Sequence, residues 1–332
     1  MRKHISFVLL ALIALLSPLY SQQAIPWRDP SAHKIRFVTI DKEVRLEVLD
    51  WGGHGRPLIL LAGGGNTAHV FDDFAPKLTA NYRVYGITRR GFGASGFSPT
   101  GNDIDRLGED VVTVIAALRL KRPVLVGHSF AGAELSWIAN SRPDLVAGLV
   151  YLEAGYPYAF DNGKGPSMND FQDLRGPKNA ARPADLSSFS ALQKWYAQEH
   201  GFTWPESEFR QTWDSTPDGR PMKEHNFPGL KAVITVVKDP KKFASIKVPA
   251  LVIFASPHAH ETWMDRGSDP ATQKTVEVYY TKLDALKEKQ AQAFEEGVGT
   301  AHVVRLRGAH FIFASNEREV LREIRSFVLE LK

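Results

Sequence analysis

The chain has 332 residues, of which 43% are hydrophobic and 23% are charged, proportions that are ordinary for a soluble globular enzyme. This length is enough for one large domain with an insertion. The 41 basic and 37 acidic residues give a net charge of +4, and Arg2 and Lys3 supply two of these charges. No repeat and no concentrated basic segment is present, so we expect no nucleic-acid partner. The absence of cysteine excludes disulfide bonds and a lipid-modified N-terminal cysteine.

The N-terminal segment has the pattern of a secretory signal peptide. A basic start is followed by an apolar run at residues 5–16, by Pro18 and by the small residue Ser21. Residues 1–21 are therefore predicted to be a signal peptide that is removed. The apolar run is shorter than the roughly 20 residues that cross a bilayer, so we expect no stable membrane span after cleavage. The predicted location is periplasmic or secreted, in a bacterium; an uncleaved anchor is the alternative.

Strand-like and helix-like segments alternate along most of the chain. After an entry hairpin at residues 34–50, this alternation predicts an α/β fold with a mostly parallel sheet and helices on both faces. It stops between residues 156 and 247, where prolines recur and aromatic residues such as Trp195 and Trp213 are frequent. Because proline breaks helices into short pieces, this segment is predicted to be an inserted cap of short helices. The core then comprises residues 22–155 and 248–332.

A serine stands where a short apolar run meets the start of a helical pattern. The run at residues 123–128 ends at Ser129, which has Gly127 two positions before it and Ala131 two positions after it. Small residues at these places are required when a strand turns sharply into a helix, which is the layout of a nucleophile elbow. The turn predicts that the Ser129 hydroxyl lies above the sheet edge, at the N-terminus of a helix.

A serine hydroxyl needs a base before it attacks a substrate at neutral pH. A strand is predicted at residues 301–306, Gly308 permits a sharp exit from it, and His310 follows in the loop. His310 is therefore the predicted base. His128, inside the elbow, is interpreted as a packing and hydrogen-bonding residue, because the base should approach from a different strand.

Two glycine-rich segments complete the set of motifs. Residues 60–65 end in Gly63, Gly64 and Gly65 after a predicted strand, and residues 89–96 contain three more glycines. The first segment lacks the ending of a phosphate-binding loop. Together with the elbow and His310, the two segments resemble α/β-hydrolases of the esterase and lipase type. The resemblance implies the α/β-hydrolase fold and an oxyanion hole formed by backbone N–H groups of Phe130 and of Gly64 or Gly65. It implies no cofactor and no metal ion.

The third member of a Ser–His–acid triad is the least marked in the sequence. In many relatives the acid follows the strand predicted here at residues 250–254, but residues 255–260 contain no carboxylate. Some relatives place it one strand earlier, where Glu153 follows the predicted strand at residues 145–152. The resemblance therefore favours Glu153, which would orient His310 and stabilise its imidazolium form. Glu261 and Asp265 are the alternatives.

Three further residues have a spacing that resembles a metal site. His258, His260 and Glu261 lie close in sequence, but histidines two positions apart point to opposite sides of an extended segment. We interpret this stretch as a surface loop and assign no metal ligand to it. His69 is placed near a helix after the glycine-rich loop, without a role.

The predicted function is hydrolysis of a carboxylic ester or lactone of a small to medium, apolar substrate. Serine at position 129 argues against the dehalogenases and epoxide hydrolases of the family, which use aspartate there. An aminopeptidase or a carbon–carbon bond hydrolase with the same triad is the alternative. A non-catalytic homologue that only binds a ligand is a further alternative, because no carboxylate follows Phe254 directly.

Overall fold

The computed structural model describes residues 27–177, 186–265 and 269–332. The predicted signal peptide, residues 1–21, lies outside these ranges. Within them, eight strands form one sheet and two more form a separate hairpin. The strands are β1 (Lys34–Thr39), β2 (Arg45–Gly52), β3 (Arg56–Leu61), β4 (Tyr82–Ile87), β5 (Val124–His128), β6 (Gly148–Leu152), β7 (Trp213–Ser215), β8 (Pro221–Glu224), β9 (Ala250–His258) and β10 (Ala301–Gly308).

The large sheet is mostly parallel, which confirms the predicted fold class. Its strand order is β1-β2-β4-β3-β5-β6-β9-β10. The pairs β1–β2 and β2–β4 are antiparallel, whereas the other neighbouring pairs are parallel. Since parallel strands end at the same edge, the residues that follow β5, β6 and β10 meet there. Those residues include Ser129, Glu153 and His310.

The helices connect the strands and cover the sheet. They are α1 (Ile104–Ala117), α2 (Ala131–Ser141), α3 (Met168–Gln172), α4 (Phe189–His200), α5 (Glu206–Thr212), α6 (Leu230–Lys238), α7 (Thr262–Asp265), α8 (Pro270–Gly297), α9 (Ile312–Ser315) and α10 (Glu317–Glu330). Among these helices, none combines the length and the apolar character that crossing a membrane requires.

Two hydrophobic cores lie on the two faces of the sheet. Leu107, Val111 and Val114 are spaced three and four residues apart on α1, and they pack into the core on one face. Val320 and Ile324 on α10 pack into the core on the opposite face. The prediction of helices on both faces is therefore confirmed.

The chain between β6 and β9 contains the short helices α3 to α6. The sequence predicted only short helices there, but the structure also contains the antiparallel hairpin β7–β8. The turn between its strands includes Gly219 at φ +82°, a left-handed conformation that glycine adopts at little cost. Phe189, Leu192 and Phe209 form a separate apolar cluster that joins α4 to α5. The boundaries at residues 156 and 247 stay predictions.

Candidate active site

Ser129 lies in the sharp turn between β5 and α2. Its backbone has φ +52°, and its N–H donates to the carbonyl oxygen of Leu152 at 3.1 Å. A Cβ atom on Gly127 would lie 3.0 Å from the Cβ of Ala131, and one on Gly132 would lie 2.0 Å from the carbonyl oxygen of Ala154. These close approaches explain why the turn requires small residues on both sides of the serine. Helix α2 begins at Ala131, so its N-terminus lies directly beyond the serine.

His310 contacts the serine from the loop that follows β10. Its Nε2 lies 2.9 Å from Ser129 Oγ, although the two residues are 181 positions apart. The backbone oxygen of His310 accepts a hydrogen bond from His128 Nε2 at 2.9 Å. Burial lowers the pKa of His128 to about 3, and the neighbouring His310 adds to this shift. His128 is thus a neutral supporting residue, in agreement with its interpretation from the sequence.

Glu153 follows β6 and lies on the Nδ1 side of the same imidazole. Its Oε1 is 3.8 Å from His310 Nδ1, which is about 1 Å longer than a hydrogen bond of this type. The carboxyl group is fully buried, and Oε2 accepts a hydrogen bond from the backbone N–H of Ala255 at 2.7 Å. Glu153 also has a left-handed backbone, with φ +48°. Of the three predicted candidates for the acid, Glu153 is the one that the structure brings to His310.

A buried lysine from α8 contacts the same carboxylate. Lys287 Nζ forms an ion pair with Glu153 Oε1, and both side chains are inaccessible to solvent. The ammonium group also lies over the ring of Tyr156, 3.2 Å from its centroid. Burial lowers the pKa of Lys287 to about 8, against the attraction of Glu153, so the group is mostly a cation at neutral pH. Burial would raise the pKa of Glu153, but Lys287 and His258 hold it well below its usual value.

The other two candidates for the acid have different partners. Glu261 Oε2 lies 3.0 Å from His200 Nδ1 and accepts a hydrogen bond from Trp263 Nε1 at 2.6 Å. Asp265 Oδ1 lies 3.3 Å from His260 Nδ1, and its side chain is 69% exposed. A catalytic acid should be fixed against the base, and neither of these pairs has that geometry.

The interpretation of the stretch from His258 as a surface loop is wrong for His258 itself. β9 continues through this residue, and its side chain is buried. Its Nδ1 lies 2.8 Å from Asp284 Oδ1, and its Nε2 lies 3.4 Å from Glu153 Oε1. The sheet continues because β10 pairs alongside up to Gly308. His258 therefore belongs to the environment of the Glu153 carboxylate, whereas His260 is exposed.

The predicted oxyanion loop lies against the elbow. A Cβ on Gly63 would lie 3.4 Å from the Cβ of Ser129, and one on Gly64 would lie 3.5 Å from the Cβ of Phe130. Around Gly65, no atom lies within 4 Å of such a Cβ position. Glycine thus lets the backbone of residues 63–65 pass close to the serine and leaves open space beside it. Phe130 precedes the first turn of α2, where N–H groups favour negative charge.

Arg89 fixes the orientation of this loop, a role that the sequence did not predict. Its guanidinium donates to the carbonyl oxygens of Ala62 at 2.9 Å and Gly63 at 3.1 Å. It also forms two hydrogen bonds with Glu134 on α2, at 2.8 and 2.6 Å. Such a two-point contact sets both distance and angle. One buried arginine therefore ties the glycine-rich loop to the helix of the elbow.

Tyr158 is a second residue near Ser129 that the sequence did not predict. Burial raises the pKa of the Tyr158 phenol far above the ordinary value for tyrosine, although the side chain of Ser129 opposes this shift. The phenol therefore stays neutral and keeps its proton. The local pattern gave no signal, because an aromatic residue in the predicted cap is more often a packing group.

A cavity of about 430 Å³ lies beside Gly65 and is lined mainly by residues of the segment between β6 and β9. Its walls include the aromatic side chains of Trp195, Tyr196, Trp204 and Trp213. Aromatic walls bury a large apolar area and leave few polar groups to satisfy. Gly65 is the residue at which the cavity meets the predicted oxyanion loop.

Curated proteins similar to this chain include several hydrolases. The AB hydrolase superfamily protein YisY of Bacillus subtilis (strain 168) is 31% identical over 162 residues, which are 46% of this chain and 58% of that protein. The pyrethroid hydrolase of Sphingobium wenxiniae is 30% identical over 178 residues, 49% of this chain and 63% of that protein. Other relatives are named non-heme chloroperoxidases or haloperoxidases. The chain thus spans a little over half the length of these curated relatives.

Solved structures share the fold at low sequence identity. The crystal structure of E-2-(acetamidomethylene)succinate hydrolase superposes with a TM-score of 0.59 at 16% identity, over 89% of this chain and 99% of that chain. Residues 58–323 of this chain match the sequence profile of the alpha/beta hydrolase family, a range that contains Ser129, Glu153 and His310. The chain therefore belongs to the alpha/beta hydrolase family.

Proposed function

We propose that this protein is a serine hydrolase that cleaves a carboxylic ester or lactone of a small to medium, apolar substrate. The observation that carries the proposal is the 2.9 Å contact between His310 Nε2 and Ser129 Oγ. The buried Glu153 carboxylate on the Nδ1 side of the imidazole supports it. Membership of a hydrolase family makes this chemistry the first choice.

In the proposed reaction, His310 Nε2 accepts the Ser129 proton while Oγ bonds to the carbonyl carbon. The resulting tetrahedral oxyanion is stabilised by backbone N–H groups of Phe130 and of Gly64 or Gly65. The bond between carbon and the leaving oxygen then breaks, and His310 returns the proton to the departing alcohol. Water next attacks the acyl-enzyme and gives a proton to His310, which passes it to Ser129 as the acid leaves.

Glu153 and Lys287 act on the proposed reaction through His310. While the imidazole holds the serine proton it carries a positive charge, and the ionised Glu153 carboxylate attracts that charge. Lys287 keeps this carboxylate ionised inside the protein. The positive charge of Lys287 also offsets part of the attraction between Glu153 and the imidazolium. Glu153 therefore acts as one partner of a buried ion pair and not as an isolated carboxylate.

The aromatic cavity supports an apolar substrate. It adjoins Gly65, so a group bound there extends from the site where the carbonyl oxygen is proposed to lie. Glu224 and His225 also line this cavity and could hydrogen-bond a polar substituent. Their presence favours a substrate with an apolar body and one polar group.

A fluorophosphonate probe tests the nucleophile directly. The wild-type protein should be labelled at Ser129, as located by mass spectrometry, and should hydrolyse short aryl esters. Ser129→Ala and His310→Ala should abolish both labelling and hydrolysis, whereas Ser326→Ala, which removes an exposed hydroxyl on α10, should leave both intact. A wild-type protein that stays unlabelled would favour a ligand-binding homologue without catalysis.

Parallel assays separate the remaining reaction classes. Turnover of amino-acid amides without turnover of esters would identify an aminopeptidase. Turnover of diketones would identify a carbon–carbon bond hydrolase. In both cases labelling of Ser129 would persist, so the assignment of the nucleophile and that of the substrate are tested independently.

We also propose that the protein is exported. The basic start, the apolar run and the small residue at position 21 support this proposal. Expression of the full chain in a Gram-negative host, followed by fractionation and N-terminal sequencing, tests it. A mature chain that begins at Gln22 in the periplasm is expected; intact chain in the membrane fraction would indicate a retained anchor.

A further inference from the structure

Two histidines and two aspartates, none of which belongs to the proposed triad, converge at one place in the structure. Asp29, His33, His69 and Asp72 each offer one ligand atom, and these four atoms all lie within 4.8 Å of one another. Asp29 and His33 belong to the segment before β1, whereas His69 and Asp72 lie just beyond the predicted oxyanion loop. The side chains of His33, His69 and Asp72 are 1–3% exposed, and that of Asp29 is 24% exposed.

The distances between the facing atoms suit a small tetrahedral cation. Asp72 Oδ2 lies 3.2 Å from His69 Nδ1, and Asp29 Oδ2 lies 3.7 Å from the same nitrogen. Asp29 Oδ2 also lies 3.6 Å from His33 Nε2. In a tetrahedral zinc site with bonds of about 2.0–2.1 Å, neighbouring ligand atoms are about 3.3–3.4 Å apart. These three contacts lie within a few tenths of an ångström of that spacing, and no two of the four ligand atoms are more than 4.8 Å apart.

Surrounding groups orient the two rings as metal-binding histidines require. His69 Nε2 lies 3.4 Å from Glu47 Oε1, so Nδ1 is the nitrogen that faces the aspartates. His33 Nδ1 lies 2.7 Å from Asp72 Oδ1, so its Nε2 faces Asp29. A metal-binding histidine usually pairs the ring nitrogen that does not face the ion with a carboxylate or carbonyl oxygen, which fixes the orientation of the ring.

Hydrogen bonds also hold the carboxylate that lies at the centre of the cluster. Asp72 accepts a hydrogen bond from Trp51 Nε1 at 3.0 Å on Oδ1 and from Ser207 Oγ at 2.6 Å on Oδ2. Ser207 belongs to α5 of the predicted cap. Asp72 is therefore fixed from the core and from the cap before any ion arrives, which lowers the conformational cost of binding.

We propose that Asp29, His33, His69 and Asp72 form a site for one divalent transition-metal cation, of which Zn²⁺ fits best. Two imidazole nitrogens and two carboxylate oxygens suit zinc, whereas calcium and magnesium prefer oxygen ligands alone. The two carboxylates balance the charge of the cation. Four protein ligands leave no open position, so the site is structural and not catalytic. The ion would tie the segment before β1 to the turn beyond the oxyanion loop.

The competing account is a closed network of ion pairs without metal. Burial lowers the pKa of His69, but Asp72 and Glu47 outweigh it and raise that pKa to about 10 when no ion is bound. An imidazolium at His69 would then satisfy the same carboxylates. The two accounts differ in whether the folded chain binds one equivalent of zinc.

Metal binding by the chelator-treated full chain tests the proposal. After incubation with Zn²⁺ and gel filtration, elemental analysis should find about one equivalent per wild-type chain, and zinc should raise its melting temperature. Co²⁺ should give the visible absorption of a tetrahedral nitrogen–oxygen site. Asp29→Asn and His33→Gln should each lower zinc affinity by at least about tenfold. His225→Gln is the matched control and should not lower zinc affinity. Like the histidines of the cluster, His225 is paired with a carboxylate, because its Nδ1 lies 2.7 Å from Asp214 Oδ1.

Two results would overturn the proposal. One is wild-type protein that retains no stoichiometric zinc, which would establish the ion-pair network. The other is equal zinc binding by wild type and by the Asp29→Asn/His33→Gln double variant. Because the Asp29 side chain is partly exposed, Asp29→Asn should fold, and circular dichroism checks this for each variant.

Discussion

Ser129 and Glu153 share an unusual backbone conformation at adjacent strand ends. Their φ angles are +52° and +48°, a region that costs a residue other than glycine about 1–3 kcal/mol. Each is held by a hydrogen bond from its own N–H to the neighbouring strand, Ser129 to Leu152 and Glu153 to Ile253. The sheet therefore supports the strain, and both side chains turn toward the edge where His310 lies. No sequence pattern signals this conformation for a glutamate.

The role of Glu153 is tested by Glu153→Gln. Glutamine keeps the size but cannot attract the imidazolium that forms during the proposed reaction, so kcat should fall by about 10³–10⁴-fold. Glu261→Gln and Asp265→Asn serve as matched controls and should retain most activity. Steady-state kinetics on an aryl ester provide the measurement. Retained turnover in Glu153→Gln, with loss in one of the controls, would move the acid to the other position.

Lys287→Met tests whether the lysine keeps Glu153 ionised. Removal of one partner from a buried ion pair should cost about 3–5 kcal/mol of stability. The pKa of Glu153 should rise, since burial then acts unopposed by the ammonium group. The acidic limb of the kcat/KM profile should therefore move to higher pH. Lys282→Met on the exposed face of α8 is the control for the loss of a charge.

A double variant distinguishes this role from simple packing. If Lys287 serves to neutralise Glu153, then Lys287→Met/Glu153→Gln should be more stable than Lys287→Met alone, because no unpaired charge remains. Urea denaturation measures the difference. Equal stability of the two variants, with an unshifted pH profile for Lys287→Met, would contradict the proposed role.

At the scale of elements, the β5–α2 elbow could be predicted because its requirement is steric and local. The requirement is strict at Gly132, because a single methyl group added there would lie 2.0 Å from the carbonyl oxygen of Ala154. Gly132→Ala should cost about 1–3 kcal/mol of stability and lower activity by shifting α2. Gly299→Ala, where no atom lies within 4 Å of the new methyl, is the control. Urea midpoints that match between the two variants would contradict this account.

Features that depend on contacts between distant elements could not be predicted from a local sequence pattern. A lysine in a helix is usually exposed, yet Lys287 lies four residues after Leu283 and seven before Phe294, on the buried face of α8. This periodicity was a usable signal that its charge needs a buried partner. The identity of that partner, Glu153, follows only from the packing of α8 beside β9. The hairpin β7–β8 was missed because its strands are three and four residues long.

At the scale of the whole molecule, α5 joins the predicted cap to the loop beside the proposed oxyanion hole. The fully buried Glu208 accepts hydrogen bonds from Asn66 Nδ2 at 2.9 Å and from the N–H of Thr67 at 3.1 Å. Its neighbour Ser207 donates to Asp72. These contacts hold the start of α5 against the residues that follow Gly65. Hydrogen bonds therefore link the predicted cap to the predicted oxyanion loop.

The ionisation of Glu208 should make the stability of the fold around these hydrogen bonds depend on pH. Burial raises its pKa from 4.5 to about 7, although hydrogen bonds from Thr67 and Asn66 oppose the shift. Since the folded chain binds this proton more tightly than the unfolded chain does, the group destabilises the fold as pH rises from 4.5 to about 7. Glutamine resembles the protonated form at every pH. The melting temperature of Glu208→Gln minus that of wild type should therefore be larger at pH 8 than at pH 5.

Differential scanning calorimetry at the two pH values measures this difference, with Glu330→Gln at an exposed position as the control. The control should change equally little at both pH values, because the Glu330 side chain is exposed to solvent in the folded chain as in the unfolded chain. A Glu208→Gln difference that is independent of pH would mean that Glu208 is already ionised at pH 5. Its hydrogen bonds with Asn66 and Thr67 would then outweigh burial, and the link between cap and loop would be a permanent anion that does not respond to pH.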